Sequence, residues 1–401
     1  MKKVAIIGTA GVPARYGGFE TLVHQLVGKL NDQFKLYVYC SGKYYKKEER
    51  RKHWNGARLF YLPFNANGIQ SIIYDMISIF HALLYADAMI VLGVSGGILI
   101  PFVKLFTNKN IIVNIDGLEW RREKWSKPVK KFLKLSEKLA VKYSDADITD
   151  NASIQQYTAV NYQTLSHLIE YGGDHASRVR LSKSIYTKYP FLRKPYAFKV
   201  CRIEPENNIH IILKAFSQLS DKTLVVVGNW NKSDYGIQLR KQYSTFENIH
   251  LLDPIYEQSE LDTLRSNCYV YVHGHSAGGT NPSLVEAMFL ELPVLAYDVS
   301  YNRATTEEEA FFFNNEKQLI HLLKTMKIED YRSNSSKMKS IADRRYTWEE
   351  VAKKYANLIL CFDYAYRKKP VFAEISGWEY EFLNTRGLSH LKRPVLFYEE
   401  L

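Results

Sequence analysis

Short apolar runs alternate with amphipathic stretches along almost the whole chain. Lys3–Ile7 (KVAII) is mostly apolar and stops at Gly8, which predicts a buried parallel strand. The loop Gly8–Phe19 follows, and then Leu22, Val23, Leu26, Val27 and Leu30 recur at helical spacing. Further strands are predicted at Phe34–Cys40, Arg58–Leu62, Met89–Leu92, Ile111–Ile115, Asp147–Thr149 and His167–Tyr171, with helices at Ile69–Tyr85 and Lys127–Tyr143. Polar and basic residues with two prolines interrupt the pattern near Ser177–Pro195, a candidate linker. A second series then begins. Its predicted strands are Ala197–Cys201, Thr223–Val227, Ile249–Leu252, Val270–His273, Val294–Tyr297 and Ala310–Phe313, with helices between them at Ile209–Leu219 and Leu261–Arg265. Helical patterns near 316–326, 331–342 and 348–362 close the series, and a polar, aromatic tail follows. Alternation of this kind predicts an α/β fold of parallel sheets with helices on both faces. Two successive series predict two Rossmann-like domains facing each other across a cleft at the C-terminal ends of their strands.

The bulk composition agrees with this picture and adds a charge. The 401 residues are 46% hydrophobic and carry a net charge of +12. Basic residues bunch at Lys43–Lys52 and Arg121–Lys134, with Tyr and Trp among them. Each cluster alone reads as a solvated face, whereas two in the same half suggest an anionic partner: nucleic acid, lipid headgroups or a phosphorylated substrate. Cys40, Cys201, Cys268 and Cys361 lie far apart without a CxxC pair, so free thiols in a reducing compartment are expected. Lys2-Lys3 precedes too short an apolar run for a signal peptide, and Ala88–Val103 is too short and too glycine-rich for a membrane span. The expected location is therefore cytoplasmic, peripheral on the inner membrane face.

Chemistry concentrates at strand ends. In Val270–Asp298 a strand runs into Gly278-Gly279-Thr280, then Asn281 as a helix cap with Pro282 at the first helical position. Such a loop aims backbone N–H groups and a helix N-terminus at one point, which suits a phosphate, and Glu286 one turn on suits ribose hydroxyls. A plain strand-to-helix turn with a surface Glu is the alternative. Arg202, just after a strand, suits a diphosphate, or else pairs with Glu204 or Glu206. The loop around Gly17-Gly18 is long for a strand-to-helix turn, but its glycines do not follow G-x-G-x-x-G, which weakens a dinucleotide reading. Asp116, Glu119, Trp120 and Arg121 also follow a strand; they suit a hydroxyl-rich ring, or form an exposed ion-pair cluster. Gly172-Gly173-Asp174 reads as a hinge or a turn. Asp145-Ala146-Asp147 reads as a polar strand start rather than a metal site, so no metal is expected.

With these pieces placed, the chain resembles the GT-B glycosyltransferases of glycosyltransferase family 4. The resemblance rests on KVCRIEPENN (199–208), GGTNPSLVEAM (278–288) and RYTWEEVAKKY (345–355) in the second half. In the first half it rests on IIGTAGVPARYGGFET (6–21), NIDGLEWRREKW (114–125) and EYGGD (170–174), which look like the rhamnosyltransferases of bacterial capsule and cell-wall assembly. It implies an acceptor domain over 1–178, a nucleotide-sugar domain over 195–346, and a C-terminal helix and tail over 347–401 returning to the first domain. It implies donor contacts from Gly17, Gly18, Arg202, Asn207, Gly279, Thr280, Asn281 and Glu286. Arg202 is also expected to act in catalysis. Asp116 is expected to orient the acceptor, alongside Glu119, Trp120 and Arg121, and Gly172, Gly173 and Asp174 are expected to form the hinge. Two positions depart from the family pattern: Gly278 stands where the first Glu of E-x7-E falls, and Asn207 near where a lysine is usual. The implied reaction is a retaining, metal-independent transfer of a sugar, L-rhamnose from dTDP-rhamnose, to a lipid-linked saccharide at the inner membrane face, with no other cofactor and no nucleic acid. UDP- or GDP-linked donors and a non-catalytic relative are the alternatives.

Overall fold

The computed structural model describes residues 1–15, 17–122, 125–362, 368–370 and 396–397. It divides into two compact units: Met1–Glu170 with the described residues from Glu349 on, and Tyr171–Trp348.

The first unit is built on eight strands: β1 (Lys3–Ile7), β2 (Lys35–Ser41), β3 (His53–Trp54), β4 (Ala57–Leu62), β5 (Ala88–Leu92), β6 (Asn110–Asn114), β7 (Ala146–Thr149) and β8 (His167–Leu168). Their order is β3-β4-β2-β1-β5-β6-β7-β8. Every pair is parallel except the short β3–β4 hairpin. The strand order reverses between β1 and β5, and that switch point is where open sheets of this kind bind ligands. Right-handed crossovers place helix Gly18–Leu30 on one face and helices Gln70–Leu83, Ile100–Phe106 and Lys127–Tyr143 on the other. Helix Trp348–Cys361 starts at the unit boundary and packs into this first unit. The buried Tyr355 hydroxyl accepts a hydrogen bond from Asn114 Nδ2 at 2.8 Å, and Lys354 pairs with Glu170 at 2.6 Å.

The second unit has six parallel strands: β9 (Tyr196–Val200), β10 (Thr223–Val227), β11 (Ile249–Leu252), β12 (Val270–His273), β13 (Val294–Tyr297) and β14 (Phe311–Phe313). Their order, β11-β10-β9-β12-β13-β14, reverses between β9 and β12. Alternate residues of β9 feed two cores, one on each face of the sheet: Ala197 packs with Ile212, Phe216 and Val226, and Phe198 with Tyr271, Val225 and Leu264.

Some elements depart from the sequence pattern. The stretch expected to be a linker, Ser177–Pro195, is folded into the second unit as helix Lys183–Lys188 and the 3-10 turn Pro190–Arg193. Tyr189 and Leu192 anchor it in the core beside Phe198, and the boundary falls earlier, at Glu170–Tyr171. Helix Ala152–Tyr162 carries too little apolar periodicity to stand out, yet Asn151 caps it by accepting from the Ser153 N–H at 2.9 Å. Two of the four free thiols, Cys40 and Cys268, are buried, while Cys201 and Cys361 are partly exposed. Beyond the short antiparallel pair Lys369–Pro370 and Leu396–Phe397, the tail past residue 368 lies outside the described residues.

Candidate functional site

In the second unit the loops after β9 and β12 meet at the switch point. The Ser276 N–H and hydroxyl both donate to the Glu206 carbonyl, at 2.8 and 2.9 Å, and Asn208 Nδ2 donates to the Gly274 carbonyl at 2.9 Å. These bonds staple loop 201–208 to loop 274–281. Helix Pro282–Phe289 leaves the second loop, and Asn281 caps it by accepting from the Ser283 N–H (3.1 Å) and hydroxyl (2.8 Å). Gly278 has φ +121° and open space where a Cβ would stand, so the backbone conformation, not packing, calls for glycine there. Gly279 is partly exposed in the same loop, whereas Thr280 is buried. The stapled loops thus bring backbone groups together at a helix N-terminus, a geometry suited to an anion.

Arg202 opens the first loop with a side chain 39% exposed and Glu204 at 3.7 Å. A pair so long and so exposed is worth little, so the guanidinium is available to a ligand. Asn207 is placed differently. It is buried, and its Nδ2 donates to the Arg202 carbonyl at 2.6 Å, so its amide closes the turn beneath Arg202.

Glu286 lies in a buried polar chain that the sequence does not reveal. Its Oε2 takes a hydrogen bond from Arg265, whose guanidinium is 0% exposed and also pairs with Asp262 at 2.6 Å. Its Oε1 lies 3.0 Å from His175 Nε2. Trp348 Nε1, which can only donate, bonds His175 Nδ1 at 2.9 Å, so the hydrogen of His175 sits on Nε2 and points at Glu286. Burial pushes the Glu286 pKa up, but the Arg265 charge and the His175 hydrogen bond outweigh it and hold the carboxyl down at about 2. Glu286 is thus a fixed carboxylate, 13% exposed, with both oxygens already anchored.

In the first unit Gly17 has φ +128° and precedes helix Gly18–Leu30. A Cβ there would fall 1.8 Å from Glu20 Oε2, so this glycine makes room for a buried carboxylate. Glu20 accepts from the Ala10 N–H (2.7 Å) and the Thr9 hydroxyl (3.3 Å). Burial raises its pKa, against those hydrogen bonds and with help from the charge of Asp116. Asp116 follows β6 at φ +58°, its N–H bonded to Asn114 Oδ1 at 3.0 Å. The Gly17 loop and Asp116 are therefore neighbours at the C-terminal edge of this sheet. Glu119 is held by Arg122 (2.8 Å) and by Trp125 Nε1 (3.0 Å), which fits the ion-pair reading. Trp120 and Arg121 line a pocket of about 340 Å³ with Lys130, Lys131 and Lys134. Arg121 and Lys134 lie over the Trp120 ring, at 5.2 and 4.6 Å from its centroid.

Gly172 and Gly173 begin the second unit, and packing requires both. A Cβ on Gly172 would meet the Trp348 indole at 2.5 Å, and one on Gly173 the Val285 carbonyl oxygen at 2.6 Å. Asp174 accepts from the Trp348 N–H at 2.8 Å. The expected hinge residues thus sit beside both points where the chain crosses the unit boundary. Asp145 is bound by Lys104 at 2.8 Å, and Asp147 is buried against Lys368 and Ser166. Among the described residues no group of three or more His, Cys, Asp or Glu is placed to hold a metal ion.

Comparison with known proteins sharpens the second unit first. Residues 187–342 match the family model of the glycosyl transferases group 1. The Arg202 and Gly274–Asn281 loops lie within the residues that match this model. Residues 1–174 match a domain of unknown function, DUF1972. A Xenopus tropicalis protein, glycosyltransferase 1 domain-containing protein 1, is 25% identical over 141 residues, which span 34% of this chain and 41% of that protein. Among solved structures, sucrose-phosphate synthase from Thermosynechococcus elongatus superposes with a TM-score of 0.72 at 15% identity, covering 91% of this chain and all of that one. Anabaena HepE in complex with UDP-glucose gives 0.70 at 13% identity, covering 90% of this chain and all of that one. At such identities the likeness establishes fold: the chain has the α/β architecture of the GT-B proteins, with two Rossmann-like parallel sheets.

Proposed function

We propose that this chain is a glycosyltransferase that moves a sugar from a nucleoside-diphosphate donor, with L-rhamnose from dTDP-rhamnose as the preferred case. The acceptor in this reading is a lipid-linked saccharide of a bacterial surface polysaccharide. The observation that carries it is the pair of stapled loops at the β9/β12 switch point, with Arg202 open at one side and the capped N-terminus of helix Pro282–Phe289 at the other. Donors fixed around a developing diphosphate charge stabilise it most in the transition state, with no cost of reorganisation. Arg202 and the amides around Gly279, Thr280 and Asn281 supply that stabilisation. Glu286 keeps lone pairs for the ribose hydroxyls, and Arg265 and His175 hold it ionised and in place. Gly17 and Gly18 bring backbone close to the donor, and Asp116 orients the acceptor hydroxyl, whose proton passes to the leaving phosphate. The family likeness supports retention without a metal. HepE is described in complex with UDP-glucose, which makes a UDP-linked sugar the second donor to try.

Membrane contact belongs to the same proposal. Ile69, Ile73, Ile77, Phe80 and Leu84 follow at three- and four-residue steps along one helix and are all exposed, Leu84 by 81%. Leu105 and Phe106, 75% and 77% exposed, lie on the same side of the sheet, next to the lysine-rich helix Lys127–Tyr143. Apolar side chains beside lysines suit the cytoplasmic face of an anionic bilayer. No helix among the described residues is long and apolar enough to cross a membrane.

Turnover with dTDP-rhamnose, UDP-glucose and GDP-mannose, each offered with lipid-linked saccharides on anionic vesicles, tests the proposal. Sugar transfer from at least one donor is expected, with dTDP-rhamnose preferred. Nucleotide binding without transfer or hydrolysis would mark a binding protein instead.

A further inference from the structure

Beneath the stapled loops lie two basic side chains that no part of the fold explains. Lys199, on β9, is 0% exposed, and its ammonium has no hydrogen-bond partner among the described residues. His273, the last residue of β12, is also 0% exposed, with neither ring nitrogen bonded among the described residues. Its ring stacks on His275 in the loop above, with centroids 4.4 Å apart and planes at 13°. By strand alternation Lys199 lies on the Ala197 side of the sheet and His273 on the Tyr271 side, so they approach the switch point from opposite faces.

The ammonium is aimed at the loop. A Cβ built on Gly274 would stand 3.1 Å from Lys199 Nζ and 2.4 Å from the Asn207 carbonyl oxygen. Lys199 therefore ends directly behind the Gly274 peptide, where β12 passes into loop 274–281. Among the described residues no carboxylate is paired with it; burial pulls the lysine below its ordinary pKa, and the Cys201 sulfur beside it pulls the other way. A buried cation without a counter-charge is costly, and a leucine or methionine at this position would serve the core better. Such a group becomes favourable once an anion arrives near it.

We propose that Lys199 is the fixed positive charge behind a phosphate subsite at the β9/β12 switch point, acting through the Gly274 backbone on a phosphate group held at the loop mouth. This deepens the donor reading and rests on it. Lys199 is a positioning residue here, since its ammonium lies behind the loop rather than on its surface. It raises the potential where the leaving diphosphate would sit, while Arg202 makes the exposed contact.

Lys199→Met separates this role from a structural one, because methionine keeps most of the volume and removes the charge. Calorimetric melting without ligand and isothermal titrations with inorganic pyrophosphate, dTDP and UDP-glucose are the readouts. Lys199→Met is expected to melt at least as high as the parent chain and to bind pyrophosphate and nucleotide at least about tenfold more weakly. A lower melting temperature, failure to fold, or affinity within twofold of the parent overturns the assignment. The arms separate the two claims. Nucleotide bound equally by parent and variant removes Lys199 and leaves the donor reading standing. Pyrophosphate bound by the parent, lost in the variant, and no nucleotide bound by either keeps the anion subsite and removes the donor reading. A parent chain that binds none of the three overturns both.

Discussion

Replacing Arg265 with methionine attacks the network around Glu286 at its centre. The guanidinium is 0% exposed and bridges Asp262, at 2.6 Å, and Glu286. Arg265→Met fills much the same volume but leaves two carboxylates buried without their shared cation. Removing one partner of a buried ion pair costs about 3–5 kcal/mol. In a unit of this size each kcal/mol moves the melting temperature by about 2–4 °C, so a fall of roughly 10 °C is expected. Scanning calorimetry of the full chain measures it. A double-mutant cycle with Glu286→Gln should return a coupling energy above about 1 kcal/mol. The same network fixes a pH dependence. The folded-state pKa of Glu286 is depressed from the ordinary 4.5 to about 2, so its contribution is complete above pH 4.5 and is lost as pH falls toward 2. That shift corresponds to about 3 kcal/mol. The parent chain should therefore lose stability steeply between pH 4.5 and 2, and Glu286→Gln should lose less over that range. A melting temperature within about 3 °C of the parent for Arg265→Met, together with an unchanged acid limb for Glu286→Gln, would show that Arg265 does not hold Glu286 ionised.

Other predictions concern the glycines, the helix cap and the apolar face. Gly173→Ala should lower the melting temperature by several degrees, because its Cβ would stand 2.6 Å from a backbone carbonyl that cannot step aside; an unchanged melt would show that this turn has room to shift. Asn281→Ala removes an acceptor for the Ser283 N–H and should cost about 1 kcal/mol by urea denaturation, while Asn281→Ser should recover most of it. Replacing Leu84, Leu105 and Phe106 together with serine should weaken sedimentation with anionic vesicles and leave soluble nucleotide binding unchanged. Equal sedimentation of parent and variant would remove this face from the membrane contact.

The sequence makes local features legible and long-range partners illegible. Asn281-Pro282 announces a helix start, and the structure places the cap there, because capping depends only on neighbours two or three residues away. The two strand series are readable for the same reason: apolar runs bounded by turns report their own burial. Glu286 stood out as a residue one turn into a helix, but its partners Arg265 and His175 are 21 and 111 residues away, and no spacing rule connects them. Gly172-Gly173 reads as a hinge or a turn, since glycine pairs suggest freedom. What demands them is the Trp348 indole and the Val285 carbonyl, which only the folded chain brings close. Lys199 carried one signal, a lysine inside an otherwise apolar strand, but a strand end usually lets such a side chain reach water. Asn207 fills a donor-binding position by register, yet the turn uses its amide internally. The Ser177–Pro195 stretch misleads because its prolines and charges outnumber the few aromatic and aliphatic side chains that dock it.

In the proposed donor site the β9/β12 loops bind a nucleoside-diphosphate sugar through Arg202 and the helix N-terminus at Asn281. Isothermal titration of dTDP-rhamnose into the parent chain and into Arg202→Ala tests it most directly. Arg202 is 39% exposed and only loosely paired, so its loss should leave the melting temperature within about 2 °C of the parent. The parent should bind saturably, and Arg202→Ala should bind at least about tenfold more weakly at that unchanged stability. Equal affinity of the two proteins for the nucleotide sugar, or no binding by the parent to any nucleotide sugar, would contradict it.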